Sequence, residues 1–422
     1  MDLKVGLISK EYFGFKKIGE PTNYHGGFGF VARTKAEGLA NSKISVHVFV
    51  PRYAFDGINT KTLNMVYNKV NLHFIRTKSN PFVNRTLYTK INDLCSLLPY
   101  DKYVLEEFKK YDIDLFHSED PFNFSIIASQ LGKPHIKILQ DPFDRIDKHV
   151  MKIAYRAYMD QDPNNFVTEV DIRKLYFKKS GKYYTKRSRL SFSDLILNRY
   201  LSKEPKETIF TAARFISEKA REMFNLNYLP KTFYNPVDIP RYSLIKKSNQ
   251  PTILFLGRFE DQKRIDVALK IAKNMQKYDF YFVGAPSPRL EYNIIEKKLK
   301  LKYHKYKNIH FTGFIGEAKK RALLSKSWVL LNTSVREGLP TSFLEAGAYG
   351  SAIVSSLNPE RYPSLFGRFV EDKKFENALN EIINTEECFQ LGKKARRHMK
   401  KYHNKDKIIK DTLRLYNDYF KL

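Results

Sequence analysis

Arg258 and Lys263 stand five residues apart in Gly257-Arg258-Phe259-Glu260-Asp261-Gln262-Lys263-Arg264, directly after the apolar run Thr252–Leu256. A fork-shaped guanidinium and a mobile ammonium, spaced across a short loop, can together neutralise a diphosphate. A second cluster, Arg336-Glu337-Gly338-Leu339-Pro340-Thr341-Ser342-Phe343-Leu344-Glu345-Ala346, follows the apolar run Val329–Asn332. Gly338 and Pro340 shape a tight loop, and Thr341 or Ser342 suits an N-cap. The freed backbone N–H groups and the dipole of the helix that follows would then hold an anion. Glu337 and Glu345 on either side are ill matched to phosphate. They are well matched to sugar hydroxyls, from which carboxylates accept hydrogen bonds. Third is Gly26-Gly27-Phe28-Gly29, whose glycines let a backbone approach a ligand closely. It is not GxGxxG, which counts against a dinucleotide site. Each cluster also has a plainer reading as solvated loop charge or turn glycine.

Strands and helices must place these loops. Val5–Ser9, Ser45–Val50, Ile113–His117, Ile136–Leu139 and Thr208–Thr211 read as strands. Helical stretches follow at Val31–Ala40, Phe122–Gln130 and Arg214–Phe224. A second series has strands at Thr252–Leu256, Phe280–Val283, His310–Thr312, Val329–Asn332 and Ala352–Ser355. Helices at Ile265–Tyr278, Glu291–Lys302, Glu317–Ser325 and Ser342–Gly350 alternate with them. Such alternation predicts parallel sheets covered by helices, and two series predict two Rossmann-like α/β domains with a cleft between. Ligands of such sheets bind at the C-terminal ends of the strands, where all three clusters lie. The expected domains are 1–236, with a polar, basic insertion at about 142–206, then 237–404, then a terminal helix in 405–422. The joint falls at Asn235-Pro236-Val237-Asp238-Ile239-Pro240.

The ordered motifs resemble family 4 of the retaining glycosyltransferases with the GT-B fold. The resemblance rests on Glu337…Glu345, on Gly257-Arg258…Lys263 and on the N-terminal glycine loop. Phe282-Val283-Gly284, Phe311-Thr312-Gly313-Phe314 and Ile113-Asp114-Leu115-Phe116-His117 add to it. It implies a GT-B architecture in which the last helix returns to the N-terminal domain. It also implies transfer of a hexosyl-type sugar from a UDP or GDP type donor to a glycan, lipid-linked or other hydroxyl acceptor, with retention and without a metal. By the same resemblance Arg258 and Lys263 would hold the pyrophosphate, Glu345 the ribose and Glu337 the donor sugar. The backbone at Gly26, Gly27, Gly257, Gly284, Gly338, Leu339, Pro340, Thr341 and Ser342 would line the donor, and His117 the acceptor side. His117 reads equally well as a core histidine. Two departures stand out. Gln140 occupies a place where the family usually has histidine, and Ala285-Pro286 follow Gly284 where it often has an acid and a glycine.

Composition bounds the partners. Lys+Arg total 74 against 45 Asp+Glu, a net charge of +29. So basic a chain meets phosphates, an anionic membrane surface or nucleic acid, but no nucleic-acid motif is present. Basic residues gather in Ile172–Ser193, interleaved with aromatics, and in Leu391–Lys410. Both runs read first as solvated basic faces, and the interleaved aromatics of the first raise docking on an anionic membrane or single-stranded nucleic acid as alternatives. Cys95 and Cys388, far apart, predict neither a disulfide framework nor a zinc site. No leader or spanning segment is read, so a cytoplasmic enzyme, peripheral on the membrane's cytoplasmic face, is expected. The rival readings are an epimerase or phosphorylase on the same fold, and a nucleic-acid-binding protein.

Overall fold

The computed structural model describes residues 3–12, 14–17, 20–22, 27–52, 62–76, 97–141, 145–168, 171, 200–286, 290–371 and 373–420. The chain forms two compact units. One gathers 1–142, 191–236 and 405–422, and the other 143–190 and 237–404.

The first unit carries strands β1 (Leu3–Ser9), β2 (Gly14–Lys17), β3 (Glu20–Thr22), β4 (Ile44–Arg52), β5 (Thr62–Tyr67), β6 (Val70–Arg76), β7 (Leu115–Glu119), β8 (His135–Leu139), β9 (Ile209–Thr211) and β10 (Lys231–Thr232). Eight of them form one sheet in the order β10-β9-β8-β7-β1-β4-β6-β5, and β2 pairs with β3. The sheet is parallel except at its edge. There β5 and β6 run antiparallel through a two-residue turn. Asn68 and Lys69 both take positive φ in it (48° and 65°), the geometry that matches strand twist. Val5, Leu7 and Ile8 on β1 are wholly buried, each burial stabilising by about 1.5–3 kcal/mol. Helices Gly27–Ala40 and Lys405–Phe420 pack together in this unit. A Cβ on Gly38 would fall 2.6 Å from the Ile409 side chain, so a larger residue there would force Ile409 to move.

The second unit carries β11 (Thr252–Leu256), β12 (Asp279–Val283), β13 (Ile309–Gly313), β14 (Val329–Asn332), β15 (Ala352–Ser355) and β16 (Gly367–Phe369). Their order is β13-β12-β11-β14-β15-β16, and every pairing is parallel. β14 and β15 are buried at every position, hence their unbroken apolar runs.

The insertion at 142–206 is not a part of the first domain alone. Of its described residues, 145–168 and 171 group with the second unit and 200–206 with the first. The cause is packing. Helix Arg145–Met159 puts Val150, Ala154 and Tyr158 into the same core as Phe259, Ile265 and Phe282. The basic cluster Ile172–Ser193 lies outside the described residues, as do Gly26 and Cys95. The run Leu391–Lys410 is not one helix. Helix Glu387–Tyr402 ends there, and Lys405–Phe420 begins anew in the other unit.

Candidate functional site

In the second unit the two charged loops emerge side by side, because β11 and β14 are neighbours in the sheet. They are knitted together by backbone contacts. Val335 donates its amide to the Gln262 carbonyl (3.0 Å), and Gln262 Nε2 donates to the Arg336 carbonyl (2.8 Å). Thr333 Oγ1 lies 2.9 Å from the carbonyls of both Lys263 and Arg264. Loop position is therefore set by main-chain partners, and the charged side chains are left to other work.

Lys263 Nζ donates to Glu337 Oε1, and Ser334 Oγ donates to the same oxygen at 2.6 Å. Among the described residues no donor is placed on Glu337 Oε2. Arg258 is more open, with 38% of its side chain exposed and Nη1 3.5 Å from Glu260 Oε1. Gly257 and Gly284 form the floor. Gly257 donates its amide to the Val283 carbonyl and Gly284 donates to that of Gly313. Gly284 has φ 144°, and a Cβ there would meet the Gly257 carbonyl oxygen at 1.9 Å. Only glycine fits. Phe259 donates to the carbonyl of Ala285, so the Ala285-Pro286 departure is used as a backbone prop.

Gly338, Leu339 and Pro340 lead into helix Thr341–Ala348, as the tight-loop reading requires. The N-cap, however, is Pro340 with no side-chain hydrogen bond, not Thr341 or Ser342. Proline offers no side-chain acceptor, so no side chain caps the helix's first amides, and Phe343 donates its amide to the Pro340 carbonyl at 3.0 Å. Glu345, on that helix, is tied elsewhere. Its carboxylate pairs with Lys320 at 2.7 Å, and Lys320 also meets Glu317 at 2.8 Å. Burial pushes the Glu345 carboxyl above its usual range, against the pull of the Lys320 ammonium.

Three partners escaped the sequence reading. Ser334 carried a signal, as a polar residue just past a buried strand. Lys320 carried none, since it lies on a separate helix, Glu317–Lys326. Arg264, wholly buried, is bidentate on Asp266 and donates to the carbonyls of Asp162 (2.7 Å) and Asn165 (2.8 Å). It thereby fastens the stretch after helix Arg145–Met159 to the loop that follows β11. Tyr158 adds a hydrogen bond to the Phe259 carbonyl (3.1 Å).

In the first unit Gly27 opens helix Gly27–Ala40 and is exposed. His117 does not line a surface. It is 0% exposed on β7, sharing a 2.7 Å hydrogen bond through Nδ1 with the Tyr416 hydroxyl. Its Nε2 lies 3.0 Å from Glu119 Oε1, close but not aligned as a hydrogen bond. Lys35 Nζ donates to the same Oε1, and Gln140 Nε2 donates to Oε2 at 2.5 Å. Gln140 and Asn235 then exchange amide hydrogen bonds at 2.7 and 3.0 Å. Burial pushes the His117 imidazole down, so it stays neutral. Burial would raise Glu119, but Lys35 and His117 overcome it and hold the carboxyl at about 2. Placing His117 on the acceptor side is thus corrected: it belongs to a sealed polar core.

Comparison with known proteins joins these observations. Residues 239–406 match the family Glycosyl transferases group 1. No curated protein matches the chain in sequence. Among solved structures, sucrose-phosphate synthase of Thermosynechococcus elongatus superposes with a TM-score of 0.69 at 16% identity, covering 99% of each chain. HepE of Anabaena, solved with UDP-glucose, gives 0.62 at 12% identity over 100% of each chain. A glycosyltransferase of Rickettsia africae gives 0.60 at 14%, covering 100% of this chain and 99% of that one.

Proposed function

We propose that this chain, with its GT-B fold and its group 1 glycosyl transferase segment, moves a sugar from a UDP or GDP type donor to a hydroxyl acceptor with retention. The observation that carries the reading is the Lys263–Glu337–Ser334 contact at the end of β11 and β14. It holds an ammonium at a strand end where a leaving diphosphate would sit, and leaves one carboxylate oxygen for a sugar hydroxyl. Arg258 and Lys263 bind the diphosphate and stabilise the charge it gains as the sugar leaves, the part a metal plays elsewhere. Glu345, kept in place by Lys320, accepts from the ribose. The amides that open helix Thr341–Ala348 contact phosphate.

The sugar C1–O bond to phosphate breaks as the acceptor oxygen forms its own bond to C1 on the same face. The acceptor's proton passes to the departing phosphate. No protein base is needed, which agrees with a His117 that is sealed and neutral. The acceptor is a glycan or a lipid-linked sugar.

The test is a thermal-shift panel of nucleoside diphosphates and nucleotide sugars, since a ligand that binds only the native state raises its stability. UDP or GDP should stabilise the wild-type chain, and Lys263→Ala should lose the shift. Lys263→Ala and Glu345→Ala should each lower transfer by about 10²-fold or more with unchanged circular dichroism. Transfer by the wild type should persist in chelator. Wild-type turnover by both variants would sink the proposal.

A further inference from the structure

Helix Leu290–Tyr303 joins β12 to β13, the edge strand of the second sheet. Its buried stripe is Tyr292, Ile295, Leu299 and Tyr303. The opposite stripe of such a helix is normally polar. Here it carries Leu290, Ile294 and Leu301, exposed by 73%, 46% and 74%. Spaced four and seven apart, they fall on one line about three turns long. With Phe314, 44% exposed just past β13, they make four of the ten large hydrophobic side chains exposed among the described residues. Among the described residues no other helix carries three of them.

Cations surround that line. Lys297, Lys298, Lys300, Lys302, Lys305 and Lys307 are six lysines in eleven residues without an acid. Only Lys300 is engaged by a carboxylate of the same helix, Glu296 at 2.7 Å. Lys297, Lys298, Lys302, Lys305 and Lys307 are exposed. A groove for a polyanion has no use for leucines at its outermost line. A protein interface core is depleted in lysine. Aliphatic side chains pointing straight out between lysines match the boundary of an anionic bilayer. There the ammonium groups meet phosphates, and the leucines reach the first methylenes.

We propose that this face docks the protein on an anionic phospholipid bilayer, with Leu290, Ile294 and Leu301 entering the interface and the flanking lysines holding the headgroups. The inference stands apart from the transferase reading, because it is tested without turnover. Helix Glu387–Tyr402 supplies the internal control. It exposes Lys393, Lys394, Arg397, Lys400 and Lys401 but no aliphatic line of its own.

The full chain should float with phosphatidylcholine vesicles that contain phosphatidylglycerol and not with phosphatidylcholine alone. The double variant Leu290→Ser/Leu301→Ser should lower vesicle partition about tenfold, with an unchanged thermal melt because both side chains are exposed. Lys393→Ser/Lys394→Ser should change it less than about twofold, an exposed cation away from the surface contributing little. No flotation of the wild type, equal loss in the two double variants, or undiminished binding of the leucine variant overturns the proposal. So does tight binding to single-stranded RNA that the leucine variant loses in parallel.

Discussion

Each unit holds a lysine–glutamate pair, and the two pairs are built for opposite ends. Lys35 and Glu119 are 0% and 1% exposed, and every neighbour of the carboxylate is a fixed group of the same unit. Lys263 and Glu337 keep 18% and 8% of their side chains exposed, on loops that hold each other by their backbones. The first pair is consumed by structure, because both oxygens of Glu119 are occupied. The second is incomplete, because one oxygen of Glu337 has no donor among the described residues. Residue type does not separate a structural ion pair from a ligand-binding one. Closure of the hydrogen-bond shell does.

The sharpest way to break that contrast is to remove one cation from each pair. Lys35→Ala should cost about 3–5 kcal/mol of stability, since it strands a buried carboxylate. Chemical denaturation reads this, and nucleotide binding by the folded fraction should not change. Lys263→Ala should cost less stability than Lys35→Ala, because Glu337 keeps the Ser334 donor and some access to water, while lowering turnover by about 10²–10³-fold. An unstable Lys263→Ala protein, or a Lys35→Ala protein of full stability, would invert the assignment.

Next in size is His117→Gln. It forfeits the Tyr416 hydrogen bond and should cost about 1–3 kcal/mol, with turnover per folded molecule unchanged. Lost turnover at wild-type stability would return His117 to the reaction.

The smallest effect is in acid. Burial keeps His117 and His135 neutral and holds His73 down at about 3. A group whose folded pKa lies below its unfolded value stabilises above the unfolded value and loses that stabilisation as pH falls through the folded one. The histidines of the first unit therefore begin to destabilise it below about 6.5, and Glu119 adds its share between about 4.5 and about 2. Glu345 of the second unit is shifted upward and has the opposite sign, while of the second unit's histidines His398 is pushed down by burial, against His73, His117 and His135 in the first. Acid titration should melt the first unit ahead of the second. The single tryptophan, Trp328, is buried in the second unit. Its fluorescence should stay native while part of the tyrosine near-ultraviolet dichroism, that of the first unit, is already lost, and coincident transitions would contradict this.

Much of the second unit was legible in sequence. Thr252–Leu256, Val329–Asn332 and Ala352–Ser355 are strands at the expected residues. Strands buried on both faces leave an unbroken apolar run with little room for error. The β5–β6 hairpin was not legible, since Asn68-Lys69 lacks the glycine that usually marks such a turn, and the alternation in Val70–Arg76 mixes polar and apolar residues. Nor was the allegiance of helix Arg145–Met159, which depends on Tyr158 finding Phe259 about a hundred residues on. The loops around Arg258, Lys263 and Glu337 stood out because each follows a buried strand directly. The fate of His117 did not, because its partner Tyr416 is 299 residues away.

That distance has a consequence for the birth of the protein. In the first unit β1 is made early, yet helix Lys405–Phe420, which supplies Tyr416 and Ile409, is made after every element of the second unit. The second unit has its full complement once residue 404 has emerged. The N-terminal sheet must therefore wait, with a polar core still open on one side, until the later-made unit is already able to fold. Order of synthesis and order of completion run in opposite directions, and the waiting sheet is the species a chaperone would meet.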